Sequence, residues 1–579
     1  MSAKGLDNKE ASRLLQEVAV LLELKGENPF KVKAYSNGAR AVQVLETDLA
    51  TLIQEGRLRE IKGIGETIAQ QIAELAATGG LGLYEELKAS VPAGHIEMLR
   101  VPGLGPKKIK ALYETLQIKN MGELEYACRE NRLADLQGFG PKGQEKILHG
   151  IQQVKKYQGH YRYGDVIDDA REMLRQVLTH PKVLRADLAG SLRRKMEVVR
   201  NINLLVSTNQ PHDVLSALSR FAGVESVHHE NTSRGLFSLS SGIEVDLRIV
   251  SDDLFPSTLY HLTGSLAHLN SLREKVRALG FELNESGLRR GERLVRCKEE
   301  KEIFDALGLD FIPPELRENQ GEIEFAEAHE LPHLIEAEDI KGAFHVHSSY
   351  SDGTNSIKGT AREAMKLGFS YVGLSDHSQS ARYAGGLTFE RLRKQWEEID
   401  EVNDELKGFH IFKGTESDIL ADGSLDYDET TLKKFDFVIA SVHSHFNMPK
   451  EEMTRRVIKA LRNPFTTILA HPTGRLLLAR EPYAIDMVQI IDEAAQSGVA
   501  IELNAHPFRL DIDWRLCKYA KEKGVKIAID PDTHDRDGLK DTHFGVGIAR
   551  KGWLEPGDVL NTMNLEEIID FLKKRRKGF

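Results

Sequence analysis

Two histidines, His345 and His347, stand two apart in the run FHVH, and Asp352 follows a few residues on in SSYSDG. Side chains two apart on a strand share one face, so two imidazoles and a carboxylate can converge on one point. Groups of the same chemistry recur down the chain: His377 in LSDH, Glu416 in GTE, His443 in SVH, His471 in AHP, and Asp532 and His534 in DPDTH. Imidazole with carboxylate suits divalent ions of the Mn, Fe or Zn type. Together these nine residues can hold two or three ions with a bridging carboxylate. Such a cluster lowers the pKa of bound water and clamps both oxygens of an in-line phosphoryl displacement. All nine are therefore candidate metal ligands and, as a set, candidate catalytic residues; Mn²⁺, Zn²⁺ and Fe²⁺ are all ions of the suited type. A lone histidine usually needs no such account, but a repeated relative position does. His445, His506 and His543 lie nearby and fit the pattern less well; they are left as ligand-supporting or substrate-contact candidates.

The elements that must position these groups are legible. Apolar runs with strand character fall at 344–347, 371–377, 410–416, 437–443, 467–472, 499–506 and 526–534, with helical patterns between most of them, for example SIKGTAREAMKLG and AIDMVQIIDEAAQSG. Repeated βα units predict a parallel barrel. Nearly all the candidate ligands sit at the carboxyl end of a predicted strand, and those ends form one face where barrel active sites are built. On HVHSSYSDG, LSDH, GTE, SVH, AHP and DPDTH, residues 337–579 resemble the polymerase-and-histidinol-phosphatase (PHP) domain. The resemblance implies a distorted (β/α)7 barrel, a trinuclear metal site and phosphoesterase activity.

The front of the chain has another texture. Three segments, at 58–75, 98–116 and 133–151, each read as a helix end, a Gly-apolar-Gly turn and a new helix. The turns place Gly63 and Gly65, Gly103 and Gly105, and Gly138 and Gly140, with Lys107 and Lys142 just after the second and third. Such a turn points backbone N–H groups at a phosphate. Three copies predict sequence-independent binding of the DNA backbone, and they resemble helix-hairpin-helix motifs. The net charge of −10 argues against nucleic acid, but its distribution does not: residues 1–300 carry 42 Lys+Arg against 39 Asp+Glu, while 301–579 carry 36 against 49. Lys31, Lys33 and Tyr35 in NPFKVKAYSNGARAV are further candidate contacts to a 5′-phosphate.

Between these regions, GSLRRKMEVVRNINLLV holds a Gly-Ser turn, two arginines and a strand whose Asn201 and Asn203 share a face. Residues 1–315 resemble a bacterial family X DNA polymerase, the PHP barrel completing that form. The implied architecture is multidomain α+β and α/β: a lyase-like helical domain (1–80), fingers with two hairpins (81–151), a nucleotidyltransferase-type palm (152–252), a thumb (253–315), a linker (316–336) and the barrel (337–579). Gly190, Ser191, Arg193 and Arg194 match the palm motif, Gly190, Ser191 and Arg194 being the implied nucleotide-phosphate contacts. Asp246 matches the third catalytic carboxylate, but Asn201 and Asn203 occupy the two Asp positions and Arg200 replaces a glycine. Amides are weak ligands for hard cations, so Mg²⁺ binding at the palm is in doubt. Leu266 and Leu269 stand where the family has polar contacts to the nucleotide, and His261-Leu262 where it has Tyr-Phe. The helix 66–75 has Gln70 and Gln71 but not the lyase lysine.

The resulting expectation is a monomeric, cytosolic protein of DNA repair, of the base-excision kind, that binds gapped, nicked or primer–template DNA. Its barrel acts as a metal-dependent 3′–5′ exonuclease or phosphoesterase, with Mn²⁺ the expected metal and Zn²⁺ or Fe²⁺ the alternatives, and its polymerase site is inactive or impaired. The alternatives are a gap-filling polymerase with a weakened metal site, a small-molecule phosphatase of the histidinol-phosphatase type, and a non-catalytic DNA-binding adaptor. No apolar run reaches the roughly 20 residues of a membrane span, and the separated Cys128, Cys297 and Cys517 read as reduced thiols.

Overall fold

In a computed structural model, residues 8–577 are described except 46, 48, 131, 134, 135, 137, 157 and 222. The chain divides into two compact units, Met1–Gln158 and Gly159–Phe579. No helix among the described residues is long and apolar enough to cross a membrane.

The first unit is helical around one core that includes Leu15, Leu22, Ile68, Ile72, Ile109, Leu112 and Ile151. In two hairpins the apolar residue between the glycines, Ile64 or Leu104, is buried in that core. Gly63, Gly103 and Gly138 all take positive φ, at 102°, 79° and 88°, a region that only glycine enters without strain. Helices Glu66–Thr78 and Pro106–Leu116 then start at Gly65 and Gly105 with no side-chain cap, so their first N–H groups are free of internal side-chain acceptors. The third hairpin differs: Gly140 is itself at φ 65° and begins the helix Gly140–Lys156.

The second unit contains a five-stranded sheet and a seven-stranded one. Strands β1 (Arg185–Ala189), β2 (Asn201–Ser207), β3 (Val224–Asn231), β4 (Arg234–Leu239) and β5 (Glu244–Val250) pair in the order β1-β2-β5-β4-β3, with only β2 and β5 parallel. That register sets Asn203 beside Asp246. Helix Tyr163–Leu178 covers one face of this sheet, and Phe255 and Leu259 of helix Phe255–Thr263 pack against Ala189 and Leu205 on the other.

The segment expected to be a linker is folded. Leu316, Ile323, Ala326 and Leu334 are buried in one cluster with Tyr260, Leu272, Phe304 and Trp553. Its helix Glu322–Ala328 presents Ile323 and Ala326 on one face, a spacing that the Pro-Pro and acidic run had masked.

All seven expected barrel strands form: β6 (Gly342–Val346), β7 (Tyr371–Leu374), β8 (His410–Asp418), β9 (Phe437–Ser441), β10 (Ile468–Leu469), β11 (Ala500–Asn504) and β12 (Ile527–Asp530). Each pairs in parallel with the next, and a parallel bridge from Val346 to Thr533 brings the last strand back to the first. Most of the strands are buried throughout, as parallel strands covered on both faces must be. The helices between them are capped by their own sequence: Ser356 accepts from the Gly359 N–H, and Asp486 from that of Gln489.

Candidate active site

The structure brings all nine expected ligands together. Four overlapping groups have ligand atoms mutually within 4.8 Å: His347, Asp352, His377 and His534; His345, His471 and Asp532; His345, His347 and Glu416; and His377, Glu416 and His443. Glu416 is the hub. One of its carboxylate oxygens lies 3.1 Å from His443 Nε2, 3.1 Å from His471 Nε2 and 3.4 Å from His345 Nε2; the other lies 2.7 Å from His377 Nδ1 and 3.7 Å from His347 Nε2. Asp532 sits 3.4 Å from both His345 and His347, and Asp352 is 3.4 Å from His534.

The backbone is bent to make this convergence. His471 and Asp532 hold positive φ values of 25° and 48°, conformations that cost energy and cluster at functional sites. Gly353 lets the loop carrying Asp352 turn back against His347, whose carbonyl carbon and oxygen lie 2.6 Å from where a Cβ would be.

The electrostatics are those of a cation site. Burial raises the Glu416 carboxyl, but the charges of His443, His377 and His345 outweigh it and hold it well below the usual carboxylate range. Burial also opposes charge on His377 and His443, yet Glu416 and their other carboxylate neighbours raise them to about 10 and about 9. Burial and neighbouring cations depress His347 and His471 to about 3. His345 Nε2 and both ring nitrogens of His347 are buried with no hydrogen-bond partner among the described residues. Buried polar atoms are normally satisfied; orphaned imidazole nitrogens around an ionised carboxylate fit divalent metal ions of the Mn, Fe or Zn type.

Sequence reasoning missed two residues that orient ligands. Glu502 is fully buried, 2.6 Å from His345 Nδ1, and accepts the His471 N–H at 2.6 Å. Asp418 lies 2.6 Å from His443 Nδ1. A carboxylate on the far ring nitrogen fixes the tautomer that offers Nε2 outward. The signal was present: Glu502 interrupts the apolar strand AIELN, and Asp418 falls two residues after Glu416, on the same face. Of the three residues held in reserve, His445 is exposed, His506 accepts the Phe508 N–H at 3.2 Å, and His543 faces the Lys540 carbonyl.

In the sheet of β1–β5, Asn203 Nδ2 lies 3.3 Å from Asn201 Oδ1, and Asp246 is held bidentate by Arg234, at 3.0 and 2.9 Å. Arg234 was not foreseen. Arg200, in the place of the family's glycine, donates to His160 at 3.1 Å. Gly190 is at φ 68°, and a Cβ there would meet Asn203 Nδ2 at 2.3 Å, so turn and strand fit closely. Ser191 follows in the same short helix. Arg193 pairs with Glu300 at 2.9 Å; Arg194 pairs with Glu318 at 2.8 Å and donates to the Thr263 carbonyl at 2.7 Å. Leu266 is 75% exposed, whereas His268 is fully buried against Glu322.

In the first unit Lys107 is 88% exposed, and Lys31 and Lys142 are also exposed. Tyr35 is a correction: it is buried, packed with Ala39 and Val42, because the helix turns that face inward, so it is not a phosphate contact.

Family models match at residues 6–81 (helix-hairpin-helix domain), 96–153 (SAM-like helix-hairpin-helix tandem), 258–318 (DNA polymerase beta thumb) and 343–506 (PHP domain). A DNA polymerase/3′-5′ exonuclease PolX of Bacillus subtilis is 38% identical over 574 residues, covering 98% of this chain and all of that protein. Probable phosphatases of Acetivibrio thermocellus and a Thermoanaerobacter species are 33% and 28% identical, each over 40% of this chain and about 95% and 94% of their own length. With hairpins, thumb and PHP barrel in one order and a full-length relative at this identity, the chain belongs to the bacterial family X DNA polymerases that carry a C-terminal PHP domain.

Proposed function

We propose that this protein degrades DNA from the 3′ end at the PHP barrel, gripping gapped or nicked DNA through its hairpins, and that its palm no longer polymerises. The observation that carries the reading is the contrast between the two sites. Nine metal-ligand candidates converge in the barrel, their ligand atoms grouped within 4.8 Å, and the buried nitrogens of His345 (Nε2) and His347 have no hydrogen-bond partner among the described residues. In the palm the last carboxylate, Asp246, is closed by Arg234. These nine residues would hold divalent ions, which we take to be Mn²⁺, and such ions would supply Lewis acidity and charge neutralisation at the phosphate. The protein's own contribution is positional: Glu416 bridges the groups, Glu502 and Asp418 orient His345 and His443, and burial keeps His347 and His471 neutral. Asp352 and His534 are the more exposed ligands, each near two-fifths accessible at 36% and 40%, and stand where a phosphate would enter.

The domain limits 1–80, 81–151, 152–252, 253–315 and 337–579 form part of this proposal, with 316–336 assigned to the thumb's packing. A second reading, a small-molecule phosphatase, draws on the two relatives named probable phosphatases that align with the barrel alone. Incubating a 5′-labelled primer–template with Mn²⁺, with and without dNTPs, separates the readings. Ladder-wise shortening without extension supports the proposal; an inert primer alongside hydrolysis of small phosphate esters supports the phosphatase.

A further inference from the structure

Beside the ligand cluster lies a cavity of about 860 Å³, bordered by His443 and by Phe446, Met448, Arg480 and Tyr483. Its volume is in the range of small-ligand pockets. The walls are tied to the metal-ligand candidates through short stretches of chain. Phe446 is three residues beyond His443, and the Tyr483 hydroxyl donates to the carbonyl of Pro472, which follows His471, at 2.7 Å. The Phe446 and Tyr483 rings are nearly parallel, 15° apart with centroids at 5.9 Å, and the Arg480 guanidinium lies 4.6 Å from the Phe446 centroid. Arg480 is fixed in turn by donating to the Gly474 carbonyl at 2.9 Å. Buried Arg456 holds the loop that carries Phe446, donating to the carbonyls of Ser444 and Leu420 at 2.9 Å each.

A pocket with flat aromatic and guanidinium walls, opening beside a metal-binding candidate cluster, suits a planar ring joined through a short linker to a phosphate. We propose that this cavity seats the terminal nucleoside of the strand under attack, its base packing on the Arg480 guanidinium that the Phe446 ring backs, while its phosphate lies on the cluster. The inference rests on the exonuclease reading and deepens it by assigning the residues that hold the terminal base. Every base has a π-face, so stacking of this kind tolerates all four, as removal of successive nucleotides requires. It adds selectivity for nucleotides over bare phosphate esters, which the ligand cluster alone does not supply.

The test is calorimetric titration of the full-length, Mn²⁺-loaded protein with each deoxynucleoside 5′-monophosphate and, separately, with inorganic phosphate. The four nucleotides should bind more tightly than phosphate by roughly 5- to 100-fold, the range of one base–aromatic stack. Phe446→Ala should erase that margin while phosphate affinity stays, which also shows that the variant is folded; Phe446→Trp should retain it. Nucleotide affinity equal to that of phosphate in the wild type, or unchanged in Phe446→Ala, would overturn the inference. The primer assay isolates the parent reading. DNA shortened normally by wild type and Phe446→Ala alike removes the subsite alone. An uncut primer with the nucleotide margin intact, and lost in Phe446→Ala, removes the exonuclease and leaves the subsite standing.

Discussion

On the proposed reading of the palm, Asn201→Asp with Asn203→Asp should not be enough for polymerisation, because Arg234 holds Asp246. The guanidinium holds Asp246 through two charge-assisted hydrogen bonds, at 3.0 and 2.9 Å, and bonds to charged groups contribute about 1.5–3 kcal/mol each. A divalent ion that took Asp246 as ligand would also sit roughly 5 Å from that cation, a repulsion on the order of 3–7 kcal/mol at an effective dielectric of 20–40. Asn201→Asp with Asn203→Asp supplies charge but leaves both costs in place. With about 1.4 kcal/mol per tenfold, even the lower figure separates this double variant from one that also carries Arg234→Ala by roughly 100-fold in extension. Arg194, tied to Glu318, limits the triple variant further. The assay is primer extension with Mg²⁺ or Mn²⁺ in a background silenced by His345→Ala and His347→Ala. Robust templated extension by the otherwise unmodified protein would refute the reasoning, and so would a double variant as active as the triple.

In the barrel, His345→Ala with His347→Ala should strip bound metal, measured by elemental analysis, and abolish Mn²⁺-dependent DNA shortening while gel-shift affinity for DNA persists. Lys107→Glu and Lys142→Glu should each weaken binding to DNA of any sequence and lower the slope of log affinity against log salt by about one. Acid stability should depend on Glu300. Burial raises its carboxyl, but Arg317 and Arg193 prevail and hold it below its ordinary 4.5. A carboxyl depressed in the folded state stabilises fully above its unfolded pKa and loses that contribution as pH falls through the folded value. Glu300→Gln should therefore cost roughly 3–5 kcal/mol at pH 7, leaving the buried Arg317 without its carboxylate and half-buried Arg193 with only the Asp187 carboxylate, 3.8 Å away, and its Tm should converge on the wild-type curve in acid.

What the sequence disclosed and what it hid follow from range. The barrel was legible because strand and helix periods are local and its ligands recur at one relative position, so His345 through His534 could be found without knowing the sheet. Arg234 was hidden because its meaning lies in the pairing of β4 with β5, which sets Leu236 opposite Asp246 and lets a cation from one strand reach across to the next. Glu502 and Asp418 were hidden because ligand candidates are sought where they face a metal, and these face histidines instead. Tyr35 was misread from the lysines around it, when its spacing to Ala39 and Val42 already marked a buried helix face. Residues 316–336 were expected as a linker, and their helix is hard to see in sequence because only Ile323 and Ala326 in that short run face a core, which is assembled from distant residues such as Tyr260 and Trp553.

Lys551, the last residue of the barrel helix Thr542–Lys551, is fully buried, and its ammonium meets Glu318 and the carbonyls of Arg194 and Glu315. Trp553, two residues on, fills the core beneath the thumb. A truncation allele that ends anywhere before this helix therefore does more than delete a nuclease. It uncovers the Glu318 carboxylate and opens the neighbouring core more than two hundred residues upstream. The two halves therefore fold as dependents of each other: Glu318 is held from one side by Arg194 of the palm and from the other by Lys551 of the barrel, so a lesion in either half is felt in both.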